Sequence, residues 1–131
     1  MQTHPPIGTR HERTFLVTRD RTVSFDGLPP ILATPCLIWE LETTAHDLLA
    51  QTLPEGHLSV GTHVHIHHLA PCPLGVHVHC LARVVDVQGG VVTFTVEARD
   101  DTEVLTRGLH QRTVVEAARL ARRIERKRPT E

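Results

Sequence analysis

One stretch of this chain repeats its apolar residues at helical spacing, and nearly everything after it alternates. Between Cys36 and about Gln51, the residues Leu37, Ile38, Leu41, Ala45, Leu48 and Leu49 fall on one side of a wheel turning about 100° per residue. Thr34-Pro35 stands just ahead, with Thr34 expected to cap the free N–H groups and Pro35 to take the first helical position. Pro54-Glu55-Gly56 ends the helix. Leu58–Leu69, Val76–Val87, Val91–Arg99 and Val104–Val115 are rich in Val, Thr and Ile and read as strands, as do Thr14–Thr18 and the shorter Val23–Phe25 upstream. The links between the last four are short and turn-like, which predicts sequential antiparallel pairing, a four-strand meander. A strand, a helix and four strands make an α+β domain, an antiparallel sheet packed on one central helix. Such a layer leaves surface to hide, so a homodimer is expected.

Composition narrows the function. At 131 residues the chain suits one domain with one core. No apolar run approaches the roughly 18 residues of a spanning helix, and Met1–Arg10 has no apolar leader, so no membrane partner and a cytoplasmic location are expected. With no Tyr, one Trp and three Phe, the chain lacks the aromatic platform of a single-strand nucleic-acid binder. Cys36, Cys72 and Cys80 form no CxxC, which argues against a disulfide framework or a cysteine zinc site. Residues 1–118 carry a net charge of −5 and residues 119–131 a net +4. An acidic body with a basic tail is not a nucleic-acid footprint. The expected organisation is a flexible lead-in over 1–11, a folded domain over 12–116 and a basic helical tail over 117–131. Arg119, Arg122, Arg123, Arg126, Lys127 and Arg128 give that tail either a solvated face or an attraction for a phosphorylated substrate.

Three polar residues interrupt apolar patterns. Glu42 lies about 20° beyond the apolar stripe, in line with Ile38, Ala45 and Leu49, whereas Glu40, Thr43, Thr44 and Asp47 fall on the side expected to be wet. In Thr62–Leu69 the period of two places His68 with Val64 and Ile66, facing the helix, and sends His63, His65 and His67 to the other face. Thr34 is the third. A carboxylate, an imidazole and a hydroxyl fit general acid–base or covalent acyl chemistry. No GxSxG, HExxH, P-loop or GxGxxG is present. On the histidine face, a turn near Cys72 is expected to set His67 opposite His77 and His65 opposite His79, close enough to share a zinc, nickel or copper ion. No carboxylate lies next to these histidines on their strands to support such ligands, so a polar outer face is the preferred reading and no metal is assigned.

The run Leu32-Ala33-Thr34-Pro35, then Glu42, Gly61-Thr62, His68 and Gly108-Leu109-His110-Gln111-Arg112, resembles the hotdog-fold thioesterases related to fluoroacetyl-CoA thioesterase. The resemblance covers about residues 12–116. It implies a homodimer, or a tetramer built from it, that hydrolyses acyl-CoA at a dimer-interface pocket without a cofactor. It implies Thr34, Glu42 and His68 as the catalytic group, with Thr34 orienting Glu42, and Phe25, Gly61, Thr62 and Arg112 against the substrate. Glu42 is nucleophile or base, and His68 aids protonation of the departing thiol, whose pKa near 8.5 makes it a tolerable leaving group. Phe25 matches one lid position of that family, but the second holds Leu28, so fluoroacetyl selectivity is not carried over. A non-catalytic acyl-CoA or small-ligand binding dimer and a histidine-rich metal protein are the alternatives.

Overall fold

The computed structural model describes residues 5–130. Its elements are β1 (Arg10–Leu16), a 3-10 turn (Arg19–Arg21), β2 (Thr22–Val23), β3 (Ile31–Leu32), α1 (Thr34–Ala50), β4 (His57–His68), β5 (His77–Gln88), β6 (Val91–Arg99), β7 (Val104–Glu116) and α2 (Ala117–Lys127). Residues 1–4 of the expected lead-in lie outside the described residues, and Arg10 and His11 already belong to β1.

β1, β5, β6, β7 and β4 form one antiparallel sheet in that order, and β2–β3 form a separate ribbon. The sheet-and-central-helix architecture matches expectation, but the pairing of β4 does not. β5, β6 and β7 are a meander, while β4 lies at the far edge, against β7. The Leu69–Val76 link therefore crosses the end of the sheet. It is pinned on the way by Leu69 N–H to Leu105 O, Leu32 N–H to Cys72 O and Gly75 N–H to Val17 O. Three strand spacings are about 14 Å, well within the reach of such an extended link, so a short connection did not require adjacent strands. His77 consequently faces Leu16 and His79 faces Thr14 and Arg99, whereas His65 faces Leu109 and His67 faces Arg107. The expected His67–His77 and His65–His79 pairs do not form.

The β5–β6 hairpin closes through Gly89-Gly90, with Gly89 at φ +59°, the left-handed conformation that a two-residue turn between twisted strands favours. Leu37, Leu41, Ala45, Leu48 and Leu49 of α1 pack on Val78, Cys80, Ala82, Val84, Phe94 and Val96 of the sheet. The buried stripe also takes in Glu40 and Thr44, so it is rotated by about 40° from the predicted one. Glu40 is only 2% exposed because Arg13 of β1 and Arg21 reach its two carboxylate oxygens, Arg13 at 2.8 Å. Thr44 satisfies its hydroxyl on Glu40 O at 2.8 Å. The charge that marked this side as wet is neutralised by partners from elsewhere in the chain.

Burial sets the thiol chemistry. Cys80 is pushed up to about 12, by desolvation first and then by the Glu40 charge, and Cys72 is pushed up to about 11, by desolvation and then by Asp100. Both stay protonated near neutrality and are inert. Iodoacetamide at pH 8 is expected to alkylate only the half-buried Cys36 in the native protein and all three cysteines in guanidinium, counted by intact mass.

Candidate active site

Thr34 is not the helix cap. Ala33 takes that position, extended at φ −74° and ψ 135°, and Thr34-Pro35 opens α1. Freed from capping, the Thr34 hydroxyl lies 2.7 Å from His68 Nδ1. His68 ends β4, on the face shared with the half-buried Val64 and Ile66, as the period of two predicts. Both partners are exposed on the single chain and border a cavity of about 290 Å³ whose walls include Phe25, Val23, Ile31 and Leu69. Leu28 is exposed and outside that wall.

Glu42 stands elsewhere. It lies eight residues beyond Thr34 on α1, a rise of about 12 Å, and bonds neither Thr34 nor His68. The convergence of all three within one chain is not found, and Thr34 turns to His68 rather than to Glu42. Glu42 borders a second cavity of about 300 Å³ with Trp39, Thr43, His46, Asp47 and Arg112. Gly61 is the close neighbour that makes room. A methyl group there would sit 3.1 Å from Glu42 Oε1 and 3.3 Å from His110 Cε1. Thr62 is the extra residue of a bulge between Gly61 and His63, and its hydroxyl turns to Thr113 Oγ1 at 3.2 Å rather than into either cavity.

Arg112 is held from below by residues that the sequence left without a role. Its Nε donates to Ser59 Oγ at 2.8 Å, its Nη2 to Ser59 O at 3.0 Å, and its Nη1 reaches His110 Nε2 at 3.2 Å. His110 Nδ1 lies 2.9 Å from His63 O, an acceptor, so the ring proton sits on Nδ1 and Nε2 accepts from Arg112. Ser59, His110 and Arg112 are all buried. Burial lowers the Arg112 guanidinium from its ordinary value, and the Glu42 charge opposes that fall. Its fork therefore faces Glu42 already oriented.

Burial likewise moves the His110 imidazole below its ordinary 6.5, with the hydrogen bond to His63 O and the Glu42 charge opposing and Arg112 adding to the fall. The unfolded chain thus takes up a proton near 6.5 that the folded chain refuses. Stability is full above that pH and is lost as pH falls toward the depressed folded value. The melting temperature is expected to fall between pH 7.5 and pH 5, and His110→Gln to flatten that dependence.

Among the described residues, no group of three His, Cys, Asp or Glu side chains is placed to hold a metal ion within one chain. No described helix is long and apolar enough to cross a membrane.

The sheet wrapped on one helix is the hotdog fold. A hot-dog-like protein from Thermanaerovibrio acidaminovorans superposes with a TM-score of 0.87 at 29% identity, over 96% of this chain and 95% of that one. A thioesterase-superfamily member from Thermus thermophilus gives 0.86 at 25% identity, over 92% and 91%. The profile of the fluoroacetyl-CoA-specific thioesterase family matches residues 17–118. The fluoroacetyl-CoA thioesterase of Streptantibioticus cattleyicolor is 26% identical over 94% of each chain. A solved fluoroacetyl-CoA thioesterase superposes at 0.89, with 26% identity over 95% of this chain and 98% of that one. The chain belongs to the fluoroacetyl-CoA-specific thioesterase family, and so to the thioester hydrolases that act on acyl-CoA.

Proposed function

We propose that this protein hydrolyses a short-chain acyl-CoA thioester to the free acid and CoA, using Thr34, His68 and Glu42 at a pocket between two copies of the chain. The observation that carries the reading is the Thr34–His68 pair at 2.7 Å on the rim of an apolar cavity. Glu42 lies roughly 12 Å along the helix from that pair, so the carboxylate that meets it comes from the second copy. A dimer in which each α1 lies against the other brings the Glu42 cavity of one chain to the His68 cavity of its partner.

In this reading the acyl group sits between Phe25 and Gly61. A Thr34 hydroxyl donating to Nδ1 keeps the His68 proton on Nε2, where it passes to the departing thiolate. Glu42 either attacks the carbonyl carbon or takes a proton from the attacking water, and Arg112 lines the same cavity beside it. Thr62, the residue without a Cα partner at the bulge beside Gly61, would present its backbone N–H to the developing oxyanion. In the first route the thiolate leaves as an anhydride forms on Glu42, and water then cleaves it. Label from heavy-oxygen water found in the Glu42 side chain after a single turnover identifies that route, because the general-base route never puts it there.

Thiol release across a panel from acetyl-CoA to long-chain acyl-CoA tests the proposal. Turnover is expected on the short substrates, and His68→Ala is expected to lower kcat by about 10²-fold with little change in KM. Absence of thiol release on every substrate overturns the enzyme reading and leaves a binding dimer.

A further inference from the structure

Three histidines that the reaction does not use stand on the strand that ends the sheet. β4 pairs with β7 on one side, and no strand covers its other edge among the described residues. That edge, His57–His68, carries no Pro, Lys or Arg to discourage pairing. His63, His65 and His67 are exposed on the face away from α1, beside Gln111, Leu109 and Arg107 of β7. The rings of His65 and His67 have their centroids 5.2 Å apart. Two imidazoles bound to one tetrahedral ion, with metal–nitrogen bonds of about 2.0–2.1 Å, have centroids about 5 Å apart. Those two rings are at chelating distance. Arg107 beside His67 would repel a cation, but it is spent on Glu97 at 3.0 Å.

The occupant of the free edge is a second copy. Trp39, 61% exposed, shares a cavity with Glu42 and Arg112, and Arg112 faces Gly61 of β4, so apolar surface adjoins the edge. A two-fold axis perpendicular to the sheet keeps both α1 helices on one side, and antiparallel strands then set residues of like facing opposite each other. An axis through Val64, His65 or Ile66 gives at least two His–His pairs in every case. Centred on His65, it sets His63 against His67 of the partner subunit and His65 against its own copy.

We propose that His63, His65 and His67 of two copies form an inter-subunit site for a zinc-class transition-metal cation on the outer face of the joined sheet, away from the thioesterase pocket. One chain alone offers no complete ligand set among its described residues, and the pairing supplies it. This inference rests on the dimer named under Proposed function. Its role is structural, tying the two sheets together, and imidazole ligands suit such an ion.

The test uses the full chain without an affinity tag, stripped with a chelator, then titrated with Zn²⁺ against a chromophoric competitor. Mass by sedimentation and acyl-CoA hydrolysis are followed on the same preparation. A dimer binding at least one Zn²⁺ with micromolar or tighter affinity is expected, weakened at least tenfold by His65→Gln and unaffected by His77→Gln. Hydrolysis is expected to be unchanged by either variant and by the chelator. A dimer that hydrolyses acyl-CoA but binds no Zn²⁺ overturns this site and leaves the hydrolase standing. A monomer overturns it as well, as does Zn²⁺ binding that survives replacing His63, His65 and His67 together by Gln. Zn²⁺ binding with the expected His65 dependence and no hydrolysis supports the site and removes the catalytic reading instead.

Discussion

Glu42→Gln is expected to lower kcat for acyl-CoA hydrolysis by about 10³-fold while leaving the fold intact. The amide keeps the size of the side chain but can neither attack a carbonyl nor accept a proton from water. Glu42 is half-buried and forms no hydrogen bond or ion pair among the described residues, so its stability cost should stay within about 1 kcal/mol. Glu40 supplies the control from the same helix. It is buried and bonded by Arg13 and Arg21, so Glu40→Gln should cost about 2 kcal/mol, less than a fully enclosed pair because both arginines can reach solvent. Activity per folded molecule should survive that change. Steady-state kinetics and thermal melts on the two variants thus give opposite patterns. Full activity in Glu42→Gln would remove the carboxylate from the mechanism.

The contrast between these two glutamates also shows where sequence reading reached its limit. Apolar spacing located α1, because burial against one sheet imposes a 3.6-residue period whatever the partners are. It could not tell which carboxylate was buried, since Arg13 and Arg21 come from β1 and the turn after it, and helix periodicity carries no information about them. Alternation located the strands but not their neighbours, because the Leu69–Val76 link is long enough to cross the sheet end and short enough to resemble a hairpin. The inward face of β7 was hidden for a further reason. Its register shifts opposite Ala98/Arg99, leaving Leu105 as an extra residue. Downstream of that bulge the parity flips, so His110 and Arg112 turn inward while Leu109 turns out. Counting by twos from Leu105 sends them the wrong way. Thr34, Glu42 and His68 stood out together from local patterning, but their assignment as one catalytic group came from the family resemblance. Local pattern placed His68 on the helix side of β4, but it assigned Thr34 to a cap and gave no distance between them.

Gly108→Ala is expected to be the most disruptive of the glycine-to-alanine changes. Gly108 faces Ile66 across the β4–β7 ladder. A Cβ added there would lie 2.1 Å from His65 O and 2.6 Å from Ile66 Cα, both backbone atoms that cannot swing aside as a side-chain tip could. The only relief is to separate β4 from β7. Each ladder hydrogen bond lost costs about 0.5–1.5 kcal/mol, and several must loosen together, so the expected loss is about 3–5 kcal/mol. For a domain of this size that corresponds to a fall of roughly 10–20 °C in Tm. Gly90→Ala is the matched control, because its nearest neighbour, Val114 O, would be 3.5 Å away, an ordinary contact. It should cost less than about 1 kcal/mol. His68 lies two residues beyond Ile66 on the displaced strand, so whatever Gly108→Ala protein remains folded should also lose turnover, through a His68 carried away from Thr34. A Gly108→Ala protein as stable as the parent would mean that β4 and β7 are not held at this spacing, and the Thr34–His68 geometry would fall with it.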